Sequence, residues 1–462
     1  MEMAPAPERL SSLDTSFLYL ERPSVHMHVA GLSVLDPRPD GPLLFDDVKR
    51  VMKARIHLAP RLRQRALHVP GNLGRPVWAD DERFDLGFHL RRSALPEPGG
   101  HDELSDAVGR ILSRPLDRAK PLWELYVFEG MEKGRTAVLM KMHHALADGI
   151  TGLAIGSVLF DLAPDAAIGE AERWTPVPTP TSAELIASAL EEVVRDPLDV
   201  LRSVAEAPAR AVEAVGDTIA GARQIVGMGP RPEGPFDVRI GPNRRFAMAE
   251  APFERLREIR RVLGGTINDV VVTTVADGLH DLLRERGEPV RGRSLRLMIP
   301  VSVREPQQGT DFANRVAPAF VDVPVGPMSP KGRLARVRKA TAALKESGMA
   351  ESADQIIALG AYAPPALHAA AARLVSHGRW FNLVVSNVPA PQVPMYLAGA
   401  PLLASYPSMP LGENAALSIA CTSLGGTMAF GLTADWDAVP DLEVLARGIE
   451  RAVDRLTAVA RG

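Results

Sequence analysis

The sequence predicts a mixed α/β protein of two domains, and three observations lead there. At 462 residues the chain is longer than a single hydrophobic core usually serves. In both halves, short apolar strand-like runs alternate with helical patterns, so each half is expected to carry its own mixed α/β layer. Between them the texture changes from Pro164 to about Gly234. There the proline-rich connector Thr175-Pro176-Val177-Pro178-Thr179-Pro180-Thr181 precedes alanine-rich helical patterns. The expected division is an N-terminal domain over 1–175, a Pro/Ala-rich helical linker over 176–240 and a C-terminal domain over 241–462.

Taken in order, Leu13 to Leu20 reads as a capped short helix or turn, and Met27 to Leu35 alternates as a strand does. Phe45 to Ala59 carries a helical stripe of Val48, Val51 and Met52; the basic Arg61-Leu62-Arg63-Gln64-Arg65 that follows reads as a solvated strand or helix end. A helix over Leu104 to Leu112 is closed by a turn bracketed by Pro115 and Pro121, ahead of a strand at Leu125 to Phe128. Gly130 to Arg135 turns the chain into the strand Thr136 to Met142. The alanine-rich helices from Ala183 to Val226 carry apolar stripes that packing against the body explains. In the second half, helices are expected at Phe253 to Leu263, from Thr266 onward and at Asp441 to Val459. Strands are expected at Leu295 to Val303, Ala317 to Val323, Phe381 to Val385, Leu417 to Thr422 and Met428 to Ala434.

Composition narrows the function classes. With 46% apolar and 24% charged residues the chain has the make-up of a soluble globular protein. Its 53 basic and 56 acidic residues leave a net charge of −3, so nothing overall recommends nucleic acid as a partner. The single cysteine, Cys421, excludes an intramolecular disulfide framework and suits a reducing cytosol; its strand-like setting marks it as a small buried hydrophobe. Met1 to Pro5 has neither the basic segment nor the apolar core of a signal peptide, so export is not expected. The long uncharged stretches Gln355 to Ala372 and Phe381 to Gly412 are broken by prolines and are not expected to span a membrane.

The chemistry concentrates at Lys141-Met142-His143-His144-Ala145-Leu146-Ala147-Asp148-Gly149, where the apolar strand gives way to a helical pattern beginning at Ile150. Strand-to-helix junctions present side chains at the rim of a sheet. A histidine with an ordinary pKa of about 6.5 can take a proton from a hydroxyl attacking an acyl group, with no Ser or Cys nucleophile needed. No Gly-x-Ser-x-Gly elbow is present. Asp148 can either share a helical face with His144 or turn inward to fix the loop. His143, His144 and Asp148 are all possible metal ligands, but no His-Glu-x-x-His or paired-cysteine pattern accompanies them, so no metal is expected. Dinucleotide and P-loop fingerprints are missing after the strands.

The His-His-x-x-x-Asp-Gly segment resembles that of the bacterial wax ester synthase/acyl-CoA:diacylglycerol acyltransferase family, a branch of the chloramphenicol-acetyltransferase-like enzymes that include peptide-synthetase condensation domains. Further stretches resemble that family's motifs in its order, from about Leu10 to about Leu456. They are Leu13-Asp14 with Met27-His28-Val29-Ala30-Gly31, Pro121-Leu122-Trp123-Glu124, Asn268-Asp269-Val270-Val271, Pro300-Val301-Ser302-Val303-Arg304, Asn314-Arg315-Val316 and Ser386-Asn387-Val388-Pro389. The resemblance implies two chloramphenicol-acetyltransferase-like domains with a substrate tunnel between them. It implies His144 as general base beside His143, Asp148 as a structural anchor paired with an arginine, and Gly149 as the residue that permits a close turn. Asn268 and Asp269 would shape the site or stabilise the reacting acyl group, and Trp123, Glu124, His28, Ser386 and Asn387 are the other expected substrate-binding positions. Ala390 stands where the family pattern usually has Gly, and Leu424 where an aromatic is common; both departures bear on tunnel shape rather than on the reaction.

The expected function is therefore O-acyl transfer from acyl-CoA, a substrate rather than a cofactor, to diacylglycerol or a fatty alcohol. It would proceed without an acyl-enzyme, in the cytoplasm and peripherally at the inner membrane face or lipid droplets. Transfer to another hydroxyl acceptor of polyketide-associated type, or non-catalytic lipid or acyl-CoA binding, are the alternatives.

Overall fold

The computed structural model describes residues 8–146, 156, 158–195, 229–302, 316–346 and 380–462. In the first half these form α1 (Ser12–Leu20), β1 (His28–Leu35), α2 (Phe45–Arg55), β2 (Gln64–Leu67), β3 (Val77–Asp80), α3 (Leu86–His89), β4 (Leu90–Ala94), α4 (His101–Leu112), β5 (Trp123–Glu129) and β6 (Thr136–His143). The helix α5 (Ser182–Arg195) falls in the stretch expected as a linker and packs its Leu185 and Ala189 with Val69 and Val77 of the first half. The second half holds β7 (Arg244–Pro252), α6 (Phe253–Leu263), α7 (Ile267–Glu285), β8 (Ser294–Ser302), β9 (Val316–Pro324) and α8 (Pro330–Glu346). It continues with β10 (Leu383–Pro389), β11 (Tyr396–Leu397), β12 (Ala400–Ser408), β13 (Leu417–Leu424), β14 (Thr427–Asp435) and α9 (Leu442–Arg461). The linker patterns beyond Arg195 as far as Val226, the Val303-Arg304 and Asn314-Arg315 parts of two motifs, and Gln355 to Ala372 lie outside the described residues.

Two six-stranded sheets carry the fold, ordered β11-β12-β1-β6-β5-β4 and β7-β14-β13-β10-β8-β9. The chain order hides one exchange: β11 and β12 come from the second half yet complete the first sheet, with β12 antiparallel to β1 from Ala30 opposite Ser408 to Leu35 opposite Leu402. While bonded to β1, β12 packs across the second sheet. The Tyr406 hydroxyl donates to the Glu250 carboxylate, Ser408 Oγ and Thr433 Oγ1 lie 2.8 Å apart, and the Pro407 carbonyl crosses so near Gly431 that a Cβ there would run into it. Glycine at 431 is thus required by a close approach of two sheets.

Alternation along β1 and β6 sorts the side chains. One face of the first sheet sends Leu35, Val138, Met140 and Met142 into a core under α2; the other sends Ala30, Leu32, Val34, Ala137 and Leu139 against α4 and residues of β7 and β12. In the second half α7 is the buried central helix. Its Val270, Val271, Val275, Leu279 and Leu282 are fully enclosed, and Gly278 meets Gly448 of α9 at backbone contact. Arg333 of α8 and Arg455 of α9 both pair with Asp277, at 3.1 and 2.6 Å, which locks three helices together.

Most sequence-predicted elements are present within a few residues of their expected ends. The helix starting at Phe45 stops at Arg55 and tightens into a 3-10 turn, Ile56–Leu58, ahead of Pro60. The basic run after it is not simply solvated, since Arg63 is buried with its guanidinium 4.4 Å above the Trp174 ring. Cys421 is fully buried in β13 and burial pushes its thiol pKa up, which leaves it inert packing.

Candidate active site

The site grows from the end of β6. His143 is the last strand residue and stands directly opposite His28 of β1, on the same sheet face as Lys141. The chain then turns into a short 3-10 segment, His144–Leu146, so His144 leaves the strand's alternation at the point where it ends. Two backbone bonds fix that turn: the His144 N–H donates to the Met27 carbonyl at 2.7 Å, and the His143 N–H to the Leu122 carbonyl at 2.9 Å.

His144 lies flat against Phe17 of α1, with ring centroids 3.8 Å apart and planes inclined by 27°. Its Nδ1 is buried without a hydrogen-bond partner among the described residues, while the residue as a whole remains partly accessible. Protein atoms crowding the ring lower its pKa to about 4 despite that accessibility, so it is a neutral imidazole at neutral pH. His143 is fully enclosed. Its Nδ1 accepts from the Ala145 N–H at 3.0 Å, and burial, outweighing the opposing pull of Glu21, takes its pKa down to about 3.

Around His143 lies a buried polar nest. Glu21, at the end of α1, places one carboxylate oxygen 3.4 Å from His28 Nε2 and the other 3.7 Å from both His143 Nε2 and Arg118 Nε. The Leu116 N–H also points at His28 Nε2, at 3.4 Å. Lys141 is fully buried and donates to the Ile111 and Arg114 carbonyls at the end of α4, which is where a cation suits a helix. Burial first, partly offset by Glu124 and Glu21, lowers its pKa to about 8.

The nest sits on the seam between the halves. Val25 and Met27 belong to the hydrophobic core of the second half. His26 Nε2 donates to the Pro242 carbonyl at 3.3 Å, Arg22 pairs with Glu413 at 3.2 Å, and buried Arg244 reaches the Ser24 carbonyl with its guanidinium and the Ser113 hydroxyl with its backbone N–H.

The other expected site residues divide. His28 does join the cluster, but it is buried among Glu21, His26 and His143 rather than open to a substrate. Trp123 does not line a cleft: it is fully buried, its indole N–H donates to the Leu62 carbonyl at 2.7 Å, and it stacks on His89 at 4.5 Å. Glu124 is committed to the Tyr126 hydroxyl at 2.7 Å and to Arg91 at 3.4 Å. Asp269 caps α7, accepting from the Thr266 N–H and hydroxyl with one oxygen and from the Thr341 hydroxyl with the other. Asn268, beside it, is partly exposed. Ser386 and Asn387 lie on β10, paired in register with Ala420 and Cys421 of β13. Asp148 and Gly149 lie outside the described residues. A groove of about 690 Å³ walled by Phe253, Arg257, Arg260 and Ile267 does not include either central histidine. Among the described residues, no group of three or more His, Cys, Asp or Glu is arranged to hold a metal ion.

Comparison with known proteins decides the lineage. The family model for the wax ester synthase/diacylglycerol acyltransferase catalytic domain matches residues 10–271, and the model for that family's C-terminal domain matches 312–457. The chain belongs to the wax ester synthase/diacylglycerol acyltransferase family. It is an acyltransferase. A Mycobacterium tuberculosis protein named "probable diacylglycerol O-acyltransferase" is 31% identical over 457 residues, with 98% of this chain and 96% of that one covered. A second relative from that organism, also a diacylglycerol O-acyltransferase by name, is 32% identical over 460 residues, covering 98% and 90%. The solved wax ester synthase/diacylglycerol acyltransferase from Marinobacter aquaeolei VT8 matches with a TM-score of 0.71 at 26% identity, over 98% of this chain and 100% of that one. The first condensation domain of the calcium-dependent antibiotic synthetase shares the two-domain fold at a TM-score of 0.59 and 17% identity, over 97% of each chain.

Within this acyltransferase, sequence reasoning missed Glu21, Phe17 and Lys141. The capped helix before β1 was legible, but neither its Phe17 nor its Glu21 carries a spacing signal that links it to His143 or His144. Lys141 could have been suspected as a charged residue inside an otherwise apolar strand, where a cation is kept only with buried acceptors.

Proposed function

We propose that the protein transfers a long acyl chain from acyl-CoA to a lipid alcohol, diacylglycerol or a fatty alcohol, with His144 as the general base. The observation that carries this reading is an imidazole stacked on Phe17 and fixed at a strand end on the seam between two acyltransferase halves. His144 takes the proton of the acceptor hydroxyl as its oxygen bonds to the thioester carbonyl carbon. The tetrahedral oxyanion then collapses, the carbon–sulfur bond breaks, and the departing CoA sulfur receives the proton back from the imidazolium. No acyl-enzyme forms, and a tunnel between the halves brings the two substrates together. Asn268 is assigned to the oxyanion as an amide donor, and Asp148 with Gly149 to shaping the loop that follows the base.

The neutral form matters more than the position alone. An imidazole held unprotonated is competent over a wide pH range, and the stacked Phe17 restricts its rotation, which preorganises the proton transfer. Single-turnover transfer of an acyl group from acyl-CoA to a panel of diacylglycerol, fatty alcohols and short polar alcohols tests the proposal. His144→Ala should lower the chemical rate by roughly two to four orders of magnitude with acyl-CoA binding retained. His143→Ala should cost less in the chemical step. A folded His144→Ala protein with a near-normal rate would remove the assignment.

Among the described residues no helix is long and apolar enough to cross a membrane. Both proposed substrates partition to lipid surfaces, so the protein is assigned a peripheral position in the cytoplasm, at the inner membrane face or on lipid droplets. Liposomes containing diacylglycerol should carry the protein upward in a flotation gradient; equal recovery in the dense fraction with and without liposomes would contradict this.

A further inference from the structure

The two histidines of the motif are served by one element. Helix α1 ends at Leu20, and Glu21 closes it by donating its backbone N–H to the Phe17 carbonyl at 3.2 Å. From that closed end, the Phe17 ring lies on His144 while the Glu21 carboxylate faces His143 Nε2. A helix whose last turn shifted would therefore move both contacts together.

The protonation of His143 can be deduced from its neighbours. Its Nδ1 accepts the Ala145 N–H, so that nitrogen carries a lone pair and a neutral ring must hold its hydrogen on Nε2. That Nε2–H points at Glu21 from 3.7 Å, beyond a normal hydrogen bond, and it has no other partner among the described residues. A donor and a carboxylate face each other inside the protein, and burial makes leaving either unpaired costly. The Glu21 carboxylate is the acceptor that the structure sets before this N–H. The opposite tautomer would turn a lone pair toward the carboxylate and set an N–H against the Ala145 N–H, so the Glu21 charge selects one ring state of two.

What His143 holds is the turn. The accepted N–H belongs to Ala145, the residue after His144, so a His143 ring in the wrong tautomer releases the peptide that aims His144. The Glu21 carboxylate has other polar neighbours as well. Arg118 Nε lies 3.7 Å from the oxygen that faces His143, the Lys141 ammonium feels the carboxylate's field, and His28, 3.4 Å from the other oxygen, stacks on His26 with centroids 5.3 Å apart.

We propose that Glu21 is a positioning residue of the acyl-transfer centre. Its carboxylate fixes His143 as the Nε2–H tautomer, and His143, through Ala145, holds the turn that directs His144 at the acceptor hydroxyl. This inference uses the assignment of His144 as base, but its first link, from Glu21 to the His143 tautomer, stands on its own geometry. It separates the roles of the two histidines: one reacts, and the other keeps the first in place.

The test uses the full-length protein with ¹⁵N-labelled histidine. In the wild type the His143 imidazole should show a single Nε2–H tautomer by nitrogen chemical shifts. Glu21→Gln, which keeps the size and removes the charge, should give mixed tautomers and lower the single-turnover rate roughly 10- to 100-fold, with the KM for acyl-CoA nearly unchanged. In a His143→Asn background the Glu21→Gln effect should largely vanish, because the intermediary is gone. Unaltered His143 signals together with an unaltered rate would overturn the proposal. So would a rate loss that adds in full to that of His143→Asn, since Glu21 would then act by another route. Should Glu21→Gln fail to fold, Glu21→Asp, which draws the charge back by one methylene, supports the proposal if it shifts the same tautomer signals and overturns it if it leaves them and the rate untouched. Failure of the base assignment is read separately: a near-normal rate in His144→Ala removes His144 from the chemistry while the His143 spectrum still reports on Glu21.

Discussion

At the scale of single residues, burial sets the chemistry of the central histidines more than charge does. His144 is lowered to about 4 by desolvation, so the base stays neutral down to about that pH. The single-turnover rate should therefore be level from about pH 8 to about pH 5 and fall only below that, where the imidazole begins to protonate. An acidic limb centred near the ordinary histidine value of about 6.5 would show that the ring is well solvated during turnover. The pairing of His143 with His144 was legible in the sequence as two reactive side chains at a strand end, and they are not equivalent because His143 closes the strand while His144 opens the 3-10 turn that follows. Glu21 was not legible. It comes to His143 only because β1 pairs with β6 and α1 folds back over the junction, a coincidence of tertiary structure with no trace in local spacing.

At the scale of elements, strands and helices with a strong period were readable because one face of each is buried: β6, β13, β14, α6 and α9 all fall close to where alternation or helical spacing places them. The strand β12 was not. Its Pro401 and Pro407 and the preceding Pro391, Pro394 and Gly399 read as punctuation, and the strand forms because β1 offers it an edge. Trp123 differs from its expected role for a related reason. The resemblance of the Pro-Leu-Trp-Glu stretch implies a substrate-binding position, whereas the indole N–H finds the Leu62 carbonyl in the core and the ring stacks on His89. The crossing of β12 over β14 gives a sharp test of packing. Gly431→Ala puts a methyl group against the Pro407 carbonyl, in a backbone contact that no side-chain rotation can relieve, and should cost about 1–3 kcal/mol or more. Denaturant unfolding measures it, and a cost within a few tenths of a kcal/mol would mean that the two sheets do not meet as closely as described.

At the scale of the whole molecule, the folded state excludes protons from six of its histidines. His26, His28, His68, His89, His143 and His144 all have pKa values lowered chiefly by burial. The unfolded chain takes up protons at these six positions near pH 6.5, while the native protein resists until lower pH, about 4 for His144 and about 3 for His143. Their contribution is fully present above about pH 6.5 and is lost as pH falls toward those folded-state values. The Tm should accordingly decline between pH 7 and pH 5, before most carboxylates titrate; a Tm constant over that interval would contradict the burial of the cluster. The strand exchange has a different consequence, for how such a protein can be divided. Cutting the chain in the linker would leave a first fragment with the β1 edge bare and a second with a β11–β12 hairpin that has lost its sheet. Each fragment holds the complement the other lacks, so the halves form a mutual clasp rather than two modules, and lineages that shuffle domains by fusion and fission would find no neutral place here to separate them.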